Sequence, residues 1–354
     1  MNDFDRALTA ICNYWECASE DQIFAESHLA GTGAVAELEI KLKKHYGKQY
    51  ALCVSNATMG LLAIALALDL KGVEFITTPF TYGASLSGFL LQENRPIFAN
   101  LTPQTLTLDP DSVRSQITPN TRAILAVDIL GNPCDMGALR QIADDYGLWY
   151  IADAAQSLGA YTQGMPASAF ADALVVSFTV GKSVFAGEGG AILTDNEQLY
   201  QKLVWLTQHP YRQKRDVGLF LTNEFALNGR IHPLAAVIAN ATFEASLQQL
   251  RQYQEWCFQV IEVLNESGFT EVISWQTEQI LPSFFRFCGR WRGESAEEEL
   301  LQVLGDRNFN LKLQPFPIQL IPKKPAFIAQ YGHLLSQEEA LKIEGKNGYF
   351  CLQK

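Results

Sequence analysis

The chain has 354 residues, 48% of them hydrophobic, with 27 Lys+Arg against 38 Asp+Glu and a net charge of -11. That length and apolar content suit a large globular fold with a substantial core, while the acidic balance excludes a general basic footprint for nucleic acid or an anionic membrane. No apolar run reaches membrane-spanning length, and the start Met1-Asn2-Asp3-Phe4-Asp5-Arg6 lacks a basic segment followed by an apolar one, so a cytoplasmic protein is expected.

In chain order, Ala34 to Tyr46 reads as an amphipathic helix stopped by Gly47, Tyr50 to Val54 as a short apolar strand, and Thr58 to Leu68 as an apolar helix. Phe75 to Thr78 then reads as strand, Gly83 to Leu91 as helix, Pro96 to Ala99 as strand, and Asp109 to Ile117 as a capped segment. Arg122 to Val127 is a predicted strand, Met136 to Tyr146 a helix, and Leu148 to Ala152 a strand. Ala173 to Val176 and Ala191 to Thr194 read as two further strands of the same sheet, followed by a helix ending near Gln208. Arg212 to Gly229 is irregular, and Pro233 to Gln254 forms one long helix able to connect two domains. Beyond it, Ser283 to Cys288 as strand and Ala296 to Leu304 as helix indicate a smaller α+β unit.

The alternation predicts an α/β fold with a mostly parallel sheet: a large domain over 31–240, with 1–30 and 241–354 supplying an N-terminal segment and a small C-terminal domain. A dinucleotide-binding fingerprint is missing, because no predicted strand leads into Gly31-Thr32-Gly33 and Ala36 takes the place of the third glycine. Seven scattered Cys suit reduced core thiols better than a disulfide framework. No CxxC or HExxH occurs, so no protein-bound metal is expected.

Asp153 closes the run Leu148 to Ala152, and Lys182 lies in the loop after Ala173 to Val176, with Gly187-Glu188-Gly189-Gly190 close behind. A strand-end carboxylate plus a loop lysine matches the needs of pyridoxal 5'-phosphate (PLP): an anion for the pyridinium nitrogen and an amine for a Schiff base. Singly, Asp153 is as well explained as a helix cap and Lys182 as a surface charge. Val54 to Thr58 joins strand to helix through small and hydroxylated residues, which offers a phosphate a helix N-terminus, although Ser55 or Asn56 would also serve as an ordinary cap. Ser177 adds a hydroxyl, Tyr82 offers an aromatic for a flat ring, and Gln156 could reach a ring oxygen or cap a helix. The glycines after Lys182 permit a sharp turn, and Glu188 reads equally as a solvated turn residue.

These residues resemble the DegT/DnrJ/StrS family of PLP-dependent aminotransferases of fold type I, over about Gly31 to Ala241. The ordered motifs are SNAT from Ser55, PFTY from Pro79, DILGNPCDM from Asp128, DAAQSLGA from Asp153, SFTVGK ending at Lys182, and GEGGAILTD from Gly187. The resemblance implies that Lys182 carries the Schiff base, Asp153 faces the pyridinium, Gln156 the ring oxygen, and Tyr82 the ring face. Phosphate contacts fall on Ala57, Thr58 and Ser177, and Asn228 reaches the cofactor of a neighbouring subunit, which implies a homodimer with shared sites. The implied reaction moves an amino group from a small-molecule donor, L-glutamate, to a keto acceptor such as a nucleotide-linked keto sugar or a ketone of specialised metabolism. Other PLP chemistry on an amino-acid-like substrate (cyclisation, elimination or decarboxylation) and a PLP-binding regulator are the competing readings. Ala57 stands where the family has Gly, Thr179-Val180-Gly181 replaces a His-Pro-Thr-like run, and the C-terminal region is shortened. Relatives with His in place of the lysine are dehydratases, a branch from which Lys182 separates this chain.

Overall fold

Short apolar runs, too brief for helices and rich in Val, Ile, Leu and Ala, form the strands that carry the site. The computed structural model describes residues 2–17, 29–268, 270–274, 279–292, 296–316, 320–334 and 349–353. In chain order the first part comprises α1 (Asp3–Cys17), α2 (Ala34–Tyr46), β1 (Tyr50–Val54), α3 (Ala57–Ala67), β2 (Glu74–Thr77), α4 (Ala84–Leu90), β3 (Arg95–Phe98), α5 (Pro110–Ser115) and β4 (Thr121–Val127). There follow α6 (Met136–Tyr146), β5 (Trp149–Asp153), β6 (Tyr161–Thr162), β7 (Met165–Pro166), β8 (Ala173–Ser177), β9 (Gly190–Thr194), α7 (Glu197–Thr207), α8 (Pro210–Val217) and α9 (Pro233–Ser267).

Seven of these strands make one sheet in the order β1-β9-β8-β5-β4-β2-β3. Its pairs are parallel except at β9, which runs antiparallel to both β1 and β8. The central strands are buried on both faces, which is why they read as continuous apolar runs without alternation. One face packs Leu38, Leu42, Ile76, Tyr150 and Leu174 against Phe243 of α9. The other packs Phe75, Val175 and Ile192 against Leu61 and Ile64 of α3 and Leu203 of α7. Each such fully buried aliphatic side chain contributes about 1.5–3 kcal/mol.

The remaining elements are β10 (Thr270–Val272), β11 (Ile280–Leu281), β12 (Phe287–Trp291), α10 (Glu297–Asp306), β13 (Lys312–Pro315), α11 (Pro325–Tyr331) and β14 (Tyr349–Gln353). Four of them form an antiparallel sheet ordered β10-β12-β14-β13. The α9 helix serves both units. Ala235, Ala236 and Ala239 belong to the large core, while Cys257, Val260 and Leu264 pack with Phe287, Leu300 and Phe350 of the small one. No helix among the described residues is long and apolar enough to cross a membrane.

Three expectations change. Arg212 to Gly229 is not uniformly irregular, because α8 occupies Pro210–Val217 and ends at Gly218 in the left-handed conformation. Its polar sequence hid it, since the two residues it buries, Arg212 and Gln213, are both polar, and Arg212 lies inside against Glu39. The long helix continues past Gln254 to Ser267, held by the small core.

Ser283 to Cys288 is largely not strand, since β12 begins only at Phe287. The Ser283 N–H donates to the Gly131 carbonyl and the Arg286 N–H to the Leu130 carbonyl, so this backbone bonds to the large domain instead of a neighbouring strand. Phe284 also has φ 50°, which breaks the extended path.

Candidate active site

The C-terminal ends of β1, β2, β5 and β8 open on one cavity of about 540 Å³, within the 300–1,000 Å³ or so usual for small-molecule sites. Asp153, the last residue of β5, is buried on its wall. Its Oδ2 accepts a 2.6 Å hydrogen bond from Ser85 Oγ, and its Oδ1 accepts from the Ala155 N–H at 3.0 Å. Because Ser85 spends its proton on the carboxylate, the 2.8 Å contact between Thr81 Oγ1 and Ser85 Oγ is a donation from Thr81. Burial pushes the Asp153 carboxyl above its ordinary range, against the opposing effects of Ser85, the Ala155 N–H and the positive charge of Lys182.

Lys182 stands in the loop between β8 and β9. That excursion is closed at its base by Phe178, whose N–H donates to Gly189 and whose carbonyl accepts from Ala186. Gly187 turns the return path at φ +82°, a region that a side chain would strain. Nζ lies 4.3 Å from the centre of the Phe285 ring, and no hydrogen-bond acceptor holds it among the described residues. Burial pushes this amine below the usual lysine range, Asp153 pulls it back up, and Arg286 lowers it further.

The N-terminus of α3 forms another wall. Asn56 caps it by accepting from the Met59 N–H at 2.8 Å, which leaves the Ala57 and Thr58 N–H groups of the first turn, at the positive end of the helix, beside the cavity. Gly190 lies so close that a Cβ there would come within 2.7 Å of the Ala57 nitrogen. Ser177 Oγ, 3.0 Å from Thr179 Oγ1, completes this cradle.

Gln156 lines the cavity, with its Oε1 accepting from the Leu130 N–H at 2.8 Å, and it begins no helix. Tyr82 stands at the mouth and is 71% exposed. Asn228 does not join the cavity of its own chain; it is exposed, at φ 57°, beside Gly229, whose carbonyl accepts from the Ser55 N–H. The structure thus brings Ala57, Thr58, Tyr82, Asp153, Gln156, Ser177 and Lys182 together and leaves Asn228 outside.

Reading the sequence missed Thr81, Ser85, Phe285, Arg286 and Lys324, all of which line the cavity. Thr81 and Ser85 carried one signal, hydroxyls four residues apart across the start of a mostly apolar helix. Phe285, Arg286 and Lys324 carried none, because they arrive from far along the chain: the first two precede β12 of the small sheet, and Lys324 caps α11, whose neighbours Ile321 and Phe327 pack on the large core.

The sequence matches the DegT/DnrJ/EryC1/StrS aminotransferase family over residues 21–340. The chain belongs to this family. Among solved structures, a DegT/DnrJ/EryC1/StrS aminotransferase from Brucella abortus is 18% identical with a TM-score of 0.78, covering 99% of this chain and 90% of that one. NtdA from Bacillus subtilis, solved with the cofactor PMP, is 23% identical with a TM-score of 0.75 over 99% of this chain and 77% of its own. The GDP-4-keto-6-deoxy-D-mannose-3-dehydratase of E. coli, solved with hydrated PLP, is 19% identical with a TM-score of 0.77 over 98% and 92%. These likenesses establish the shared fold. A curated relative, protein MJ1066 of Methanocaldococcus jannaschii, is 33% identical over 174 residues, which are 49% of this chain and 45% of that protein.

The family is PLP dependent, and the cavity fits that group. An unbonded lysine amine, a buried carboxylate with lone pairs to spare, and free N–H groups at a helix N-terminus are the donor and acceptor set that an aldehyde, a pyridinium and a phosphate require.

Proposed function

We propose that this chain is a PLP-dependent aminotransferase that takes an amino group from L-glutamate and delivers it to a keto acceptor, a nucleotide-linked keto sugar or a ketone of specialised metabolism. The observation that carries this reading is the free Lys182 amine in the same cavity as the buried Asp153. PLP, when bound, supplies the electron sink that lets a proton leave the carbon bearing the amino group. Ala57, Thr58 and Ser177 would hold its phosphate, and Asp153 its ring nitrogen. Lys182 Nζ, made less basic than an ordinary lysine by burial, is suited both to covalent attachment and to moving a proton at the reacting carbon. Gln156 would face the ring oxygen, and Tyr82 would cover the ring from the mouth.

Arg286 and Lys324 suit substrates with anionic groups, since no carboxylate pairs with either among the described residues. A carboxylate donor and a phosphate-bearing acceptor are both served by such a mouth. The exposed Asn228, flanked by exposed Phe220, Leu221, Phe225 and Leu227, supports a homodimer in which Asn228 completes the partner's site. We assign the protein to the cytoplasm on its composition.

Mixing PLP-loaded protein with L-glutamate in a single turnover should convert the cofactor to its amine form with release of one equivalent of 2-oxoglutarate. Absence of 2-oxoglutarate would reject transamination and favour elimination, cyclisation or decarboxylation. A panel of keto acceptors offered to the amine-loaded protein then identifies the second substrate.

A further inference from the structure

Cys288 of β12 and Cys351 of β14 are direct partners in the antiparallel register of the small sheet. The Cys288 carbonyl is engaged on the opposite side of its strand, where it accepts from the Ile273 N–H at 2.9 Å. A residue's N–H and C=O point to the same neighbour in an antiparallel sheet, so Cys288 faces Cys351 as a non-hydrogen-bonded pair, the type that brings opposed side chains closest. Their Sγ atoms lie 2.6 Å apart, and both residues are buried. Neither thiol takes part in the proposed transamination.

We propose that Cys288 and Cys351 are a redox pair that closes to a disulfide in the folded protein and pins the C-terminal strand to the strand leading away from the site. With a small-molecule disulfide as oxidant, the thiolate of Cys351 attacks one sulfur, forming a mixed disulfide and releasing one small thiol. The Cys288 thiolate then displaces the second small thiol, so two protein thiols are oxidised, one disulfide is reduced, and both protons end on the released thiols. Cys351 is the entry point because its contact with Cys288 draws its thiol below the ordinary range, while burial holds Cys288 well above it.

The position gives the bridge something to act on. The pair belongs to an apolar cluster with Phe80, Val127, Ile129, Leu130 and Leu320, which joins the small sheet to the strand ends of the large one. Phe285 and Arg286 enter the cavity immediately before β12 begins. Locking β12 to β14 therefore restrains the segment that carries them.

The test exposes the folded protein to oxidised glutathione, blocks remaining thiols with iodoacetamide under denaturing conditions, and maps the peptides. The expected result is a linked peptide pair containing Cys288 and Cys351, the loss of two alkylatable thiols, and a mass lower by two hydrogens. Cys351→Ser should retain the far-ultraviolet circular dichroism of the parent and lose the linked pair, leaving Cys288 alkylatable or carrying glutathione. Alkylation of both cysteines after oxidation, glutathione left on one of them, or linkage to Cys257 or another cysteine would overturn the proposal. So would a bridge that forms only when denaturant is present during oxidation. The readout is independent of PLP and of turnover, so its failure leaves the aminotransferase reading standing.

Discussion

Glu39 meets Arg212 beside the edge strand β1, and Asp153 shares a cavity with Lys182 at the strand ends. Both place opposite charges close together out of bulk water, Lys182 being half-buried, and they are completed differently. Arg212 donates to both oxygens of Glu39 at 2.9 and 2.8 Å and to Asp216 at 2.9 Å. Glu39 also accepts from the Cys53 N–H, so it satisfies a donor on an edge strand as well. Gly31 abuts the same guanidinium, where a Cβ would come within 2.6 Å of Nη1. Burial pulls the Arg212 pKa down, and Glu39, Tyr200 and Asp216 more than restore it. Asp153 and Lys182 form no such ion pair: the carboxylate leans on a serine and an amide, and the amine rests over a ring. A closed pair holds elements together, whereas an open one keeps its bonding capacity for something that arrives later.

Breaking the open pair should cost activity without folding. Lys182→Ala is expected to lower turnover with L-glutamate at least about 10⁴-fold, equivalent to roughly 5.5 kcal/mol. Its thermal unfolding should stay at or above that of the parent, because a poorly solvated amine is removed. Turnover within tenfold of the parent would remove Lys182 from the chemistry.

Breaking the closed pair should do the reverse. Arg212→Met leaves the buried Glu39 without its cation, while Asp216 keeps Arg215, and should destabilise the protein by about 3–5 kcal/mol in urea unfolding, with turnover per folded molecule retained. Changing Glu39 and Arg212 to Met together should recover most of that loss, since an apolar pair leaves fewer stranded charges. A single variant as stable as the parent would show that this network is not what fixes α8 and α2 against β1.

The same contrast explains what the sequence could reveal. Asp153, Ser177 and the Ser55 to Thr58 turn each follow an apolar run on their own strand, so strand, turn and functional group are adjacent in the chain. Most of the large sheet was legible for that reason. The Arg212 network was not, because its partners lie 173 positions apart and its helix shows no apolar stripe. Phe285 and Arg286 were hidden likewise: their segment looks like the start of a strand until its N–H groups are seen bonding to Leu130 and Gly131. Asn228 was legible as a position, while its exposure in the single chain keeps its role a proposal about the assembly.

The smallest effect concerns proton balance within the open pair. In the folded chain Lys182 is less basic than an ordinary lysine, chiefly from burial, with Asp153 opposing that shift and Arg286 adding to it. For a base with a depressed folded pKa, the protonated form is penalised in the native state. That penalty is fully present below the folded pKa and disappears as pH climbs through it towards the unfolded value of about 10.4. The neutral amine therefore becomes available at lower pH than in a free lysine. Capture of PLP by cofactor-free protein, trapped with borohydride and read on the peptide carrying Lys182, should rise with pH around a midpoint below the lysine range. Arg286→Ala should move that midpoint up, and Asp153→Asn should move it down. An unchanged midpoint in both variants would contradict the electrostatic coupling. Asp153→Asn is the sharper case, because it makes the amine easier to deprotonate while removing the anion from the ring nitrogen: capture at a given pH should improve as turnover falls.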